Sequence, residues 1–182
     1  TYVGDVTPDG ALHAVFVRSV IPHGEIRAID TADACLLSGV AAVFTANTLG
    51  IQSVAPALPG LDQAMTRSAL ATDRVRFVGE PVAVVLAESL AIAADAAELV
   101  VVEVEPLPAV VGVDTARKDE VLLHPAAGTN QCFTLGGESD SELFADCEVV
   151  VSLAFDNPRL SGAPIEPRTA VASWSESDGR LR

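Results

Sequence analysis

Two acidic side chains are spaced as a pair that could do acid–base chemistry. Glu103 and Glu105 lie two residues apart at the end of the β-branched run 100–104, so both project from one face of a predicted strand. Paired carboxylates catalyse acid–base steps when different environments separate their pKa values. Two acids on one face at a strand end more often form its solvated side. A small hydrolase that uses Glu103 or Glu105 is therefore the weakest of the functions considered.

The histidines do not form a metal-binding pattern. They lie far apart, without the short spacings that bring two ligands onto one metal ion, at His13, His23 and His124. The first falls within a predicted strand, the second in a loop and the third beside a proline. We expect each to be a hydrogen-bonded or solvated side chain, and we assign none of them to a metal.

Cysteine and lysine usage also argues against a built-in reactive group. The cysteines, Cys35, Cys132 and Cys147, are widely spaced and include no Cys-x-x-Cys pair. This pattern argues against a disulfide framework or a zinc site and favours a reducing cytoplasm. The only lysine, Lys118, lies in a charged loop, whereas a lipoyl or biotinyl carrier needs a lysine at a hairpin tip. No residue is therefore assigned a catalytic, cofactor-binding or metal-binding role.

The stretch 164–168, Pro-Ile-Glu-Pro-Arg, is the most unusual local sequence. Its two prolines stiffen the backbone and display Glu166 and Arg168 at the entrance to a predicted strand. Two interpretations stay open for it. It forms either a turn with a solvated ion pair, or a joint onto a following domain or near a cofactor.

Charge and hydropathy limit the partners. The 182 residues include 25 acidic and 11 Lys or Arg side chains, which gives a formal net charge of -14. Such a surface repels phosphate backbones and anionic lipid, so we expect no nucleic-acid or membrane partner. No apolar run reaches the roughly 18 to 20 residues of a membrane span, and no secretion signal opens the chain. The chain starts at Thr1, with Met65 as its only methionine, and it ends at Arg182 just after a turn, where a new strand begins, so we expect both ends to be cut.

The elements that must position these residues are centred on 74–111. Alternation predicts a half-buried strand over 74–78. The continuous apolar run 82–87 predicts a strand that is buried on both faces. With 49% hydrophobic but only 4% aromatic residues, the chain must build its core from Ala, Val and Leu.

A helix and a further strand come after this pair. Ser89 is a suitable N-cap for a helix from Leu90 to about Leu99. The β-branched run 100–104 continues without a breaker and predicts a strand. The helix would therefore link two strands, and such a crossover is right-handed if the strands are parallel.

Shorter patterns predict the remaining elements. Strands are predicted at 12–17, 25–29, 40–44, 147–155 and 169–174, and helices at 31–37, after Thr45, and from the Ser139–Glu142 capping box through Ala145. Ser177-Asp178-Gly179 predicts a hairpin turn. The unpatterned stretch 112–137 predicts a long surface connection with a domain boundary between about 113 and 138.

Several blocks together resemble one known family. They are Tyr2-Val3-Gly4-Asp5-Val6, the Leu-His-Ala-x-x-Val-Arg-Ser pattern at 12–19, Val75–Ala83 with its Val-Gly-Glu-Pro-Val-Ala, Ala96–Val100, and Glu105–Val110. With them the chain resembles the N-terminal part of the large subunit of the molybdenum hydroxylases, the xanthine dehydrogenase, aldehyde oxidase and aerobic carbon monoxide dehydrogenase group. It is most similar to the carbon monoxide dehydrogenase-like branch. The stretch Ser19–Glu25 departs from the family's Ser-Pro-x-Ala-His-Ala-Arg and keeps only the serine and His23.

The resemblance implies a fold and a domain division. The fold is α+β: an α/β-hammerhead domain with a mixed sheet over 1–125. Residues 126–182 would be the connection and the first strands of a molybdenum-cofactor domain. The family's cofactor and catalytic motifs lie downstream of this region, so the resemblance assigns none of them to these residues.

The resemblance also implies what a parent enzyme would do. It would hydroxylate an aldehyde, an N-heterocycle or carbon monoxide with water-derived oxygen, using a molybdopterin-type molybdenum cofactor. Iron–sulfur clusters and FAD would lie on partner domains or subunits. The implied partners are therefore the remaining domains of the large subunit and the iron–sulfur and flavin subunits.

Two main functions are consistent with these patterns. The chain is either an inactive structural segment of such a large subunit, or an independent, non-catalytic binding or interaction module on the same fold. A cut segment would expose apolar strand edges from Val149 onward, which favours self-association. The reading frame beyond Arg182 distinguishes the two functions.

Overall fold

Antiparallel strands and short helices alternate along the chain in a computed structural model, which describes residues 2–51, 53–54, 56–57, 60–134, 142–155, 157, 160–166 and 168–182. The described strands are β1 His13–Arg18, β2 Gly24–Asp30, β3 Val40–Thr45, β4 Arg74–Val75, β5 Pro81–Ala87, β6 Val101–Pro106, β7 Trp174–Ser175 and β8 Arg180–Leu181. The described α-helices are α1 Ala32–Leu36, α2 Ala46–Leu49, α3 Leu90–Glu98 and α4 Val113–Ala116, with 3-10 turns at Val3–Asp5 and Pro125–Ala127.

The strands form two three-stranded sheets and a hairpin. One sheet has the order β1-β5-β3 and the other the order β4-β2-β6, while β7 pairs with β8. The α+β class predicted from the sequence is confirmed. Every pairing between the described strands is antiparallel, which refines the mixed sheet that was expected.

The chain divides into two units. One is Gly10–Leu135, and the other combines Thr1–Asp9 with Gly136–Arg182. The first unit contains both three-stranded sheets and the four described α-helices. The domain assignment 1–125 and 126–182 stays a prediction.

Strand β5 is the centre of the first unit, and one of its faces packs against α3. Ala83, Val85 and Ala87 on that face are fully buried. They form one cluster with Ala93 and Ala96 of the helix, which are also fully buried. Because these side chains are small, the helix can lie close to the sheet without voids. The core is built from Ala and Val, as the composition predicted.

The other face of β5 helps to join the two sheets. Val82 is fully buried there in a second cluster with Ala71 and Val75. Partly buried Ile26 and Val104, from β2 and β6, pack against this cluster. The prediction that 82–87 is buried on both faces is therefore confirmed.

Helix α3 and its cap agree with the sequence prediction. The Ile92 amide donates to Ser89 Oγ at 3.2 Å, so Ser89 is the N-cap. The helix ends at Glu98, and β6 begins at Val101. However, β5 and β6 belong to different sheets, so the parallel crossover considered for them does not occur.

The other local predictions in the first unit are also close. Strands β1, β2 and β3 and helix α1 begin and end within one residue of their predicted limits. Thr45 precedes α2, and its amide donates to Thr48 Oγ1 at 2.8 Å. Gly50 ends that helix in the left-handed conformation, at φ 65.

The strand predicted over 74–78 is wrong beyond its first two residues. The Arg76 amide donates to the Glu80 carboxylate at 2.5 Å, and the Glu80 amide donates to the Phe77 carbonyl at 3.2 Å. These bonds form a turn that uses the backbone groups a strand would have paired. Phe77 stays 40% exposed, with Arg67 lying over its ring at 5.4 Å.

The predictions for the C-terminal part are mostly wrong. Residues 147–155 and 169–173 form no strand, and 142–146 form a turn where a helix was predicted. Ser139 of the predicted capping box lies outside the described residues. The hairpin is confirmed, because Gly179 turns the chain at φ 61 between β7 and β8. The long connection 112–137 is also interrupted by α4 and the 3-10 turn at Pro125–Ala127.

Replacing Gly24 should test how closely the strands of the second sheet pack. This residue pairs with both β4 and β6, and a Cβ there would lie 2.7 Å from the Glu105 carbonyl oxygen. We expect Gly24→Ala to lower the free energy of unfolding by about 1–3 kcal/mol through overpacking. Denaturant titration measures this loss.

A second glycine provides the matched control. A Cβ on Gly162 would meet no atom within 4 Å, and its φ is not positive. Gly162→Ala should therefore change stability by no more than about 0.5 kcal/mol. Equal effects of the two substitutions would contradict the close packing at Gly24.

Candidate functional site

Glu105 of β6 belongs to a charge network and does not form a catalytic pair with Glu103. Glu105 accepts two hydrogen bonds from the Arg27 guanidinium, which raises the pKa of Arg27. Glu25 lies 3.0 Å from Arg27 and 3.1 Å from Arg74, so it bridges the two cations. Glu103 is exposed, in register with Ala28. The network braces the β4-β2-β6 sheet, and nothing in it favours the hydrolase interpretation.

His23 is a buried structural residue. Its side chain is 2% exposed, and Nδ1 lies 2.8 Å from the Pro108 carbonyl oxygen. A carbonyl only accepts, so this contact assigns the proton to Nδ1. The Leu107 amide in turn donates to the His23 carbonyl at 2.9 Å. His23 thus holds the end of β6 against the start of β2. This structural role accounts for the buried histidine.

His124 lies in a cationic environment on the same unit. Arg76 donates from Nε to the neighbouring Leu123 carbonyl at 2.9 Å. Partial burial lowers the pKa of His124, and the charges of Arg76 and Arg67 lower it further. His124 is therefore held in its neutral form more strongly than a solvated histidine. His13 is half-buried at the start of β1.

Asn130 locks the connection after β6, and sequence reasoning missed it. Its Oδ1 accepts from the Leu123 amide at 3.0 Å, while Nδ2 donates to the carbonyls of Val121 at 2.8 Å and Ala116 at 3.2 Å. One amide group thus satisfies three backbone groups. The one signal in the sequence was an asparagine within a stretch that has no helix or strand pattern.

Asp119 completes this lock. Its carboxylate accepts from the Asn130 amide and from Thr129 Oγ1, both at 2.7 Å. These two bonds hold the pKa of Asp119 below its usual range. Asp119 also adopts φ 55, a left-handed conformation that Asp tolerates better than most residues. Together Asp119 and Asn130 give a long loop a defined shape.

The locked connection borders a concave surface. This cleft has a volume of about 420 Å³ and is lined by Val113, Ala116, Arg117, Asn130, Gln131, Cys132 and Phe133. Cys132 is exposed and its thiol is free, as are those of Cys35 and Cys147. The cleft therefore combines a free thiol, a guanidinium group and an aromatic ring in its lining.

No described residue is assigned to a molybdenum cofactor. No group of three or more His, Cys, Asp or Glu side chains in the described part of the chain could hold a metal ion. Two enclosed polar atoms lack a hydrogen-bond partner among them, His23 Nε2 and Arg74 Nε. Both atoms are buried, so neither is presented to a pterin or its phosphate. No chemical step is therefore derived through these residues.

The stretch 164–168 keeps both of its interpretations. Glu166 and Arg168 are exposed, and Ile165, which comes directly after Pro164, is 94% exposed. Pro167 lies outside the described residues. The strand that this stretch was expected to introduce does not form before Trp174. Among the described residues, no helix is long and apolar enough to cross a membrane.

Comparison with known proteins identifies the family. Residues 1–108 match the model of the aldehyde oxidase and xanthine dehydrogenase a/b hammerhead domain. The chain therefore belongs to this family, and the resemblance inferred from the sequence is confirmed.

Three relatives illustrate the family's range. The chain is 37% identical over its whole length to the nicotine 6-hydroxylase large subunit of Paenarthrobacter nicotinovorans and covers 23% of it. It is 34% identical over 99% of its length to the carbon monoxide dehydrogenase large chain of Hydrogenophaga pseudoflava and covers 24% of that protein. Its fold matches the solved aldehyde oxidoreductase of Desulfovibrio gigas with a TM-score of 0.67 and 29% identity, over 82% of this chain and 18% of that one.

These matches set the scale of the comparison. The chain spans less than a quarter of the length of these two large subunits. The hammerhead fold predicted for the chain is confirmed. The relatives include the carbon monoxide dehydrogenase branch named from the sequence, together with enzymes named for nicotine and for aldehydes.

Removing the Asn130 lock should destabilise the first unit. Asn130→Ala strands a backbone amide and two carbonyls that are partly buried, so we expect a loss of about 2–3 kcal/mol in unfolding free energy. Asn130→Asp keeps the acceptor but replaces the donor by a charged oxygen that faces two carbonyl oxygens, so its loss should be at least as large. Denaturant titration measures both values. Gln131→Ala changes an exposed neighbour and should leave the free energy of unfolding unchanged. An Asn130→Ala variant that is as stable as the natural chain would contradict the lock.

His124 should make stability depend on pH. Its pKa in the folded state is lowered from 6.5, so protons bind the unfolded chain more tightly. Its contribution to stability is therefore present above the unfolded pKa and is lost as pH falls through the folded pKa. Denaturation at pH 7.5 and 5 should show a smaller drop for His124→Gln than for the natural chain. An equal drop in both proteins would exclude this role.

Proposed function

We propose that the chain is the N-terminal structural segment of the large subunit of a molybdenum hydroxylase, inactive when isolated. The observation that supports this most is the contrast between its two units. The first has two hydrophobic clusters and is the part that the family model mainly covers. Every described residue from 142 onward is exposed except Ser175, which is half-buried. The second unit therefore lacks a core within its described residues.

The exposed residues of the second unit carry an apolar pattern. Val149, Val151, Leu153 and Phe155 alternate along the chain and are 73–85% exposed. Alternating apolar side chains are typical of a strand with one buried face. Leaving so many large apolar side chains in water is unfavourable, at roughly 25 cal/mol per Å² of apolar surface. A further domain that pairs with this segment would bury them.

The chemistry of the parent enzyme belongs to the same proposal. It would hydroxylate an aldehyde, an N-heterocycle or carbon monoxide with water-derived oxygen. A molybdopterin-type cofactor would be held by later domains of the subunit, and iron–sulfur clusters and FAD by partner domains or subunits. The described residues supply scaffold and contacts only. Three free, exposed cysteines support a reducing cytoplasm as its location.

An independent interaction module is the second candidate. The first unit supports it, because its sheets and helices have hydrophobic clusters of their own and do not need the second unit to form them. Such a module would need no downstream domain. The two candidates therefore differ in whether the gene encodes further domains beyond Arg182.

Two measurements test the proposal. The reading frame after Arg182 should continue into a long polypeptide with the family's Gly-Gln cofactor motif, whereas a stop codon would favour the module. The 182-residue chain should contain no stoichiometric molybdenum by metal analysis and should not oxidise aldehydes, N-heterocycles or carbon monoxide. Stoichiometric molybdenum or turnover by this chain would overturn the proposal.

The 182-residue chain should self-associate through its second unit. Val151→Lys should reduce the apparent mass measured by light scattering, because it places a charge in the apolar face that would otherwise pair. Ser152→Lys adds the same charge at the adjacent position and is the matched control, with a smaller effect expected. A clean monomer of the natural chain at high concentration would contradict the prediction.

A further inference from the structure

We propose that the cleft beside α4 binds a small aromatic carboxylate. Neither the hammerhead family nor the proposed scaffold role assigns its lining residues to a ligand. Three observations support such a site: the hydrogen-bonded frame of the cleft, a lining cation for which the described residues provide no partner, and an apolar lining that includes one aromatic ring.

The frame is fixed by direct hydrogen bonds between its walls. Asn130 Nδ2 donates to the Ala116 carbonyl at the end of α4, so two lining residues are joined to each other. The Asp62 amide donates to the Cys132 carbonyl at 3.1 Å and anchors the wall opposite α4. Since both walls are anchored, little ordering would be needed when a ligand binds, which favours affinity.

The cation is Arg117. In the part of the chain that the structure describes, its side chain makes no ion pair and no hydrogen bond. The guanidinium groups of Arg27, Arg74 and Arg76 are each paired with carboxylates. In a chain of net charge -14, an unpaired guanidinium at a concave surface is notable. Its planar donors suit a carboxylate, which they can bind through two parallel hydrogen bonds.

The apolar lining indicates which kind of molecule can carry the carboxylate. Val113 and Phe133, which line the cleft together with Ala116, are 69% and 47% exposed. A volume of about 420 Å³ falls within the usual range of small-molecule sites, roughly 300–1,000 Å³. An aromatic ring can stack against Phe133 in offset or edge-to-face geometry. A single-ring aromatic acid therefore matches both the charge and the surface.

Cys132 makes the site directly testable in the natural chain. Its free thiol lines the cleft, so a bound ligand should shield it from iodoacetamide. Cys35 and Cys147 are exposed elsewhere and serve as internal controls. Mass spectrometry of the three cysteine peptides should show that benzoate slows alkylation of Cys132 in a saturable way and leaves the other two unchanged. Benzamide, which has the same shape without the charge, should protect much less.

Substitutions identify the contact. Arg117→Gln should weaken the benzoate protection by at least about tenfold, because it removes the charge-assisted hydrogen bonds to the carboxylate. Lys118→Gln removes the adjacent charge outside the lining and should leave protection unchanged. Arg117 is exposed, so circular dichroism should show that the variant folds normally.

Three results would overturn the proposal. They are an absence of protection at Cys132, equal protection by benzamide, or undiminished protection in Arg117→Gln. Each result is independent of whether the chain belongs to a molybdenum hydroxylase subunit, because the assay measures only ligand binding at the cleft.

Discussion

The burial of β5 between two layers is the constraint on which the first unit depends. Its inner face consists of Ala83, Val85 and Ala87, and the helix above it contributes Ala93 and Ala96. With few aromatic side chains available, this interface gains its stability from close approach and dispersion rather than from large buried surfaces. A larger side chain on either surface would separate the helix from the sheet. The same strand also carries Val82 into the cluster that joins the second sheet.

The elements around β5 could be predicted because their signals are local. The apolar run 82–87 can be satisfied only by burial on both faces, and Ser89 caps a helix through a bond to a residue three positions away. The prediction of a strand at 74–78 was wrong for an equally local reason, which the alternation of polar and apolar residues does not reveal. There the Glu80 carboxylate takes the Arg76 amide, so a turn replaces the strand.

Features that depend on distant parts of the chain could not be read from the sequence. Residues 147–155 have the pattern of a strand, but a strand needs a partner, and the described residues provide none. The lock at Asn130 depends on how a loop closes, which brings it to Ala116 and Leu123. The cleft could not be predicted for the same reason, because Arg117 and Phe133 line one surface only after the loop has closed. The family, by contrast, was visible from motifs alone.

The first unit is one continuous stretch of chain, Gly10–Leu135. Its strands pair across long sequence separations, β1 with β5 among them, but all of those partners lie inside the stretch. During synthesis the stretch can therefore complete its core as soon as it has left the ribosome, without waiting for the residues that follow it to fold. Such an order of events would give the polypeptide that emerges next a finished surface on which to assemble.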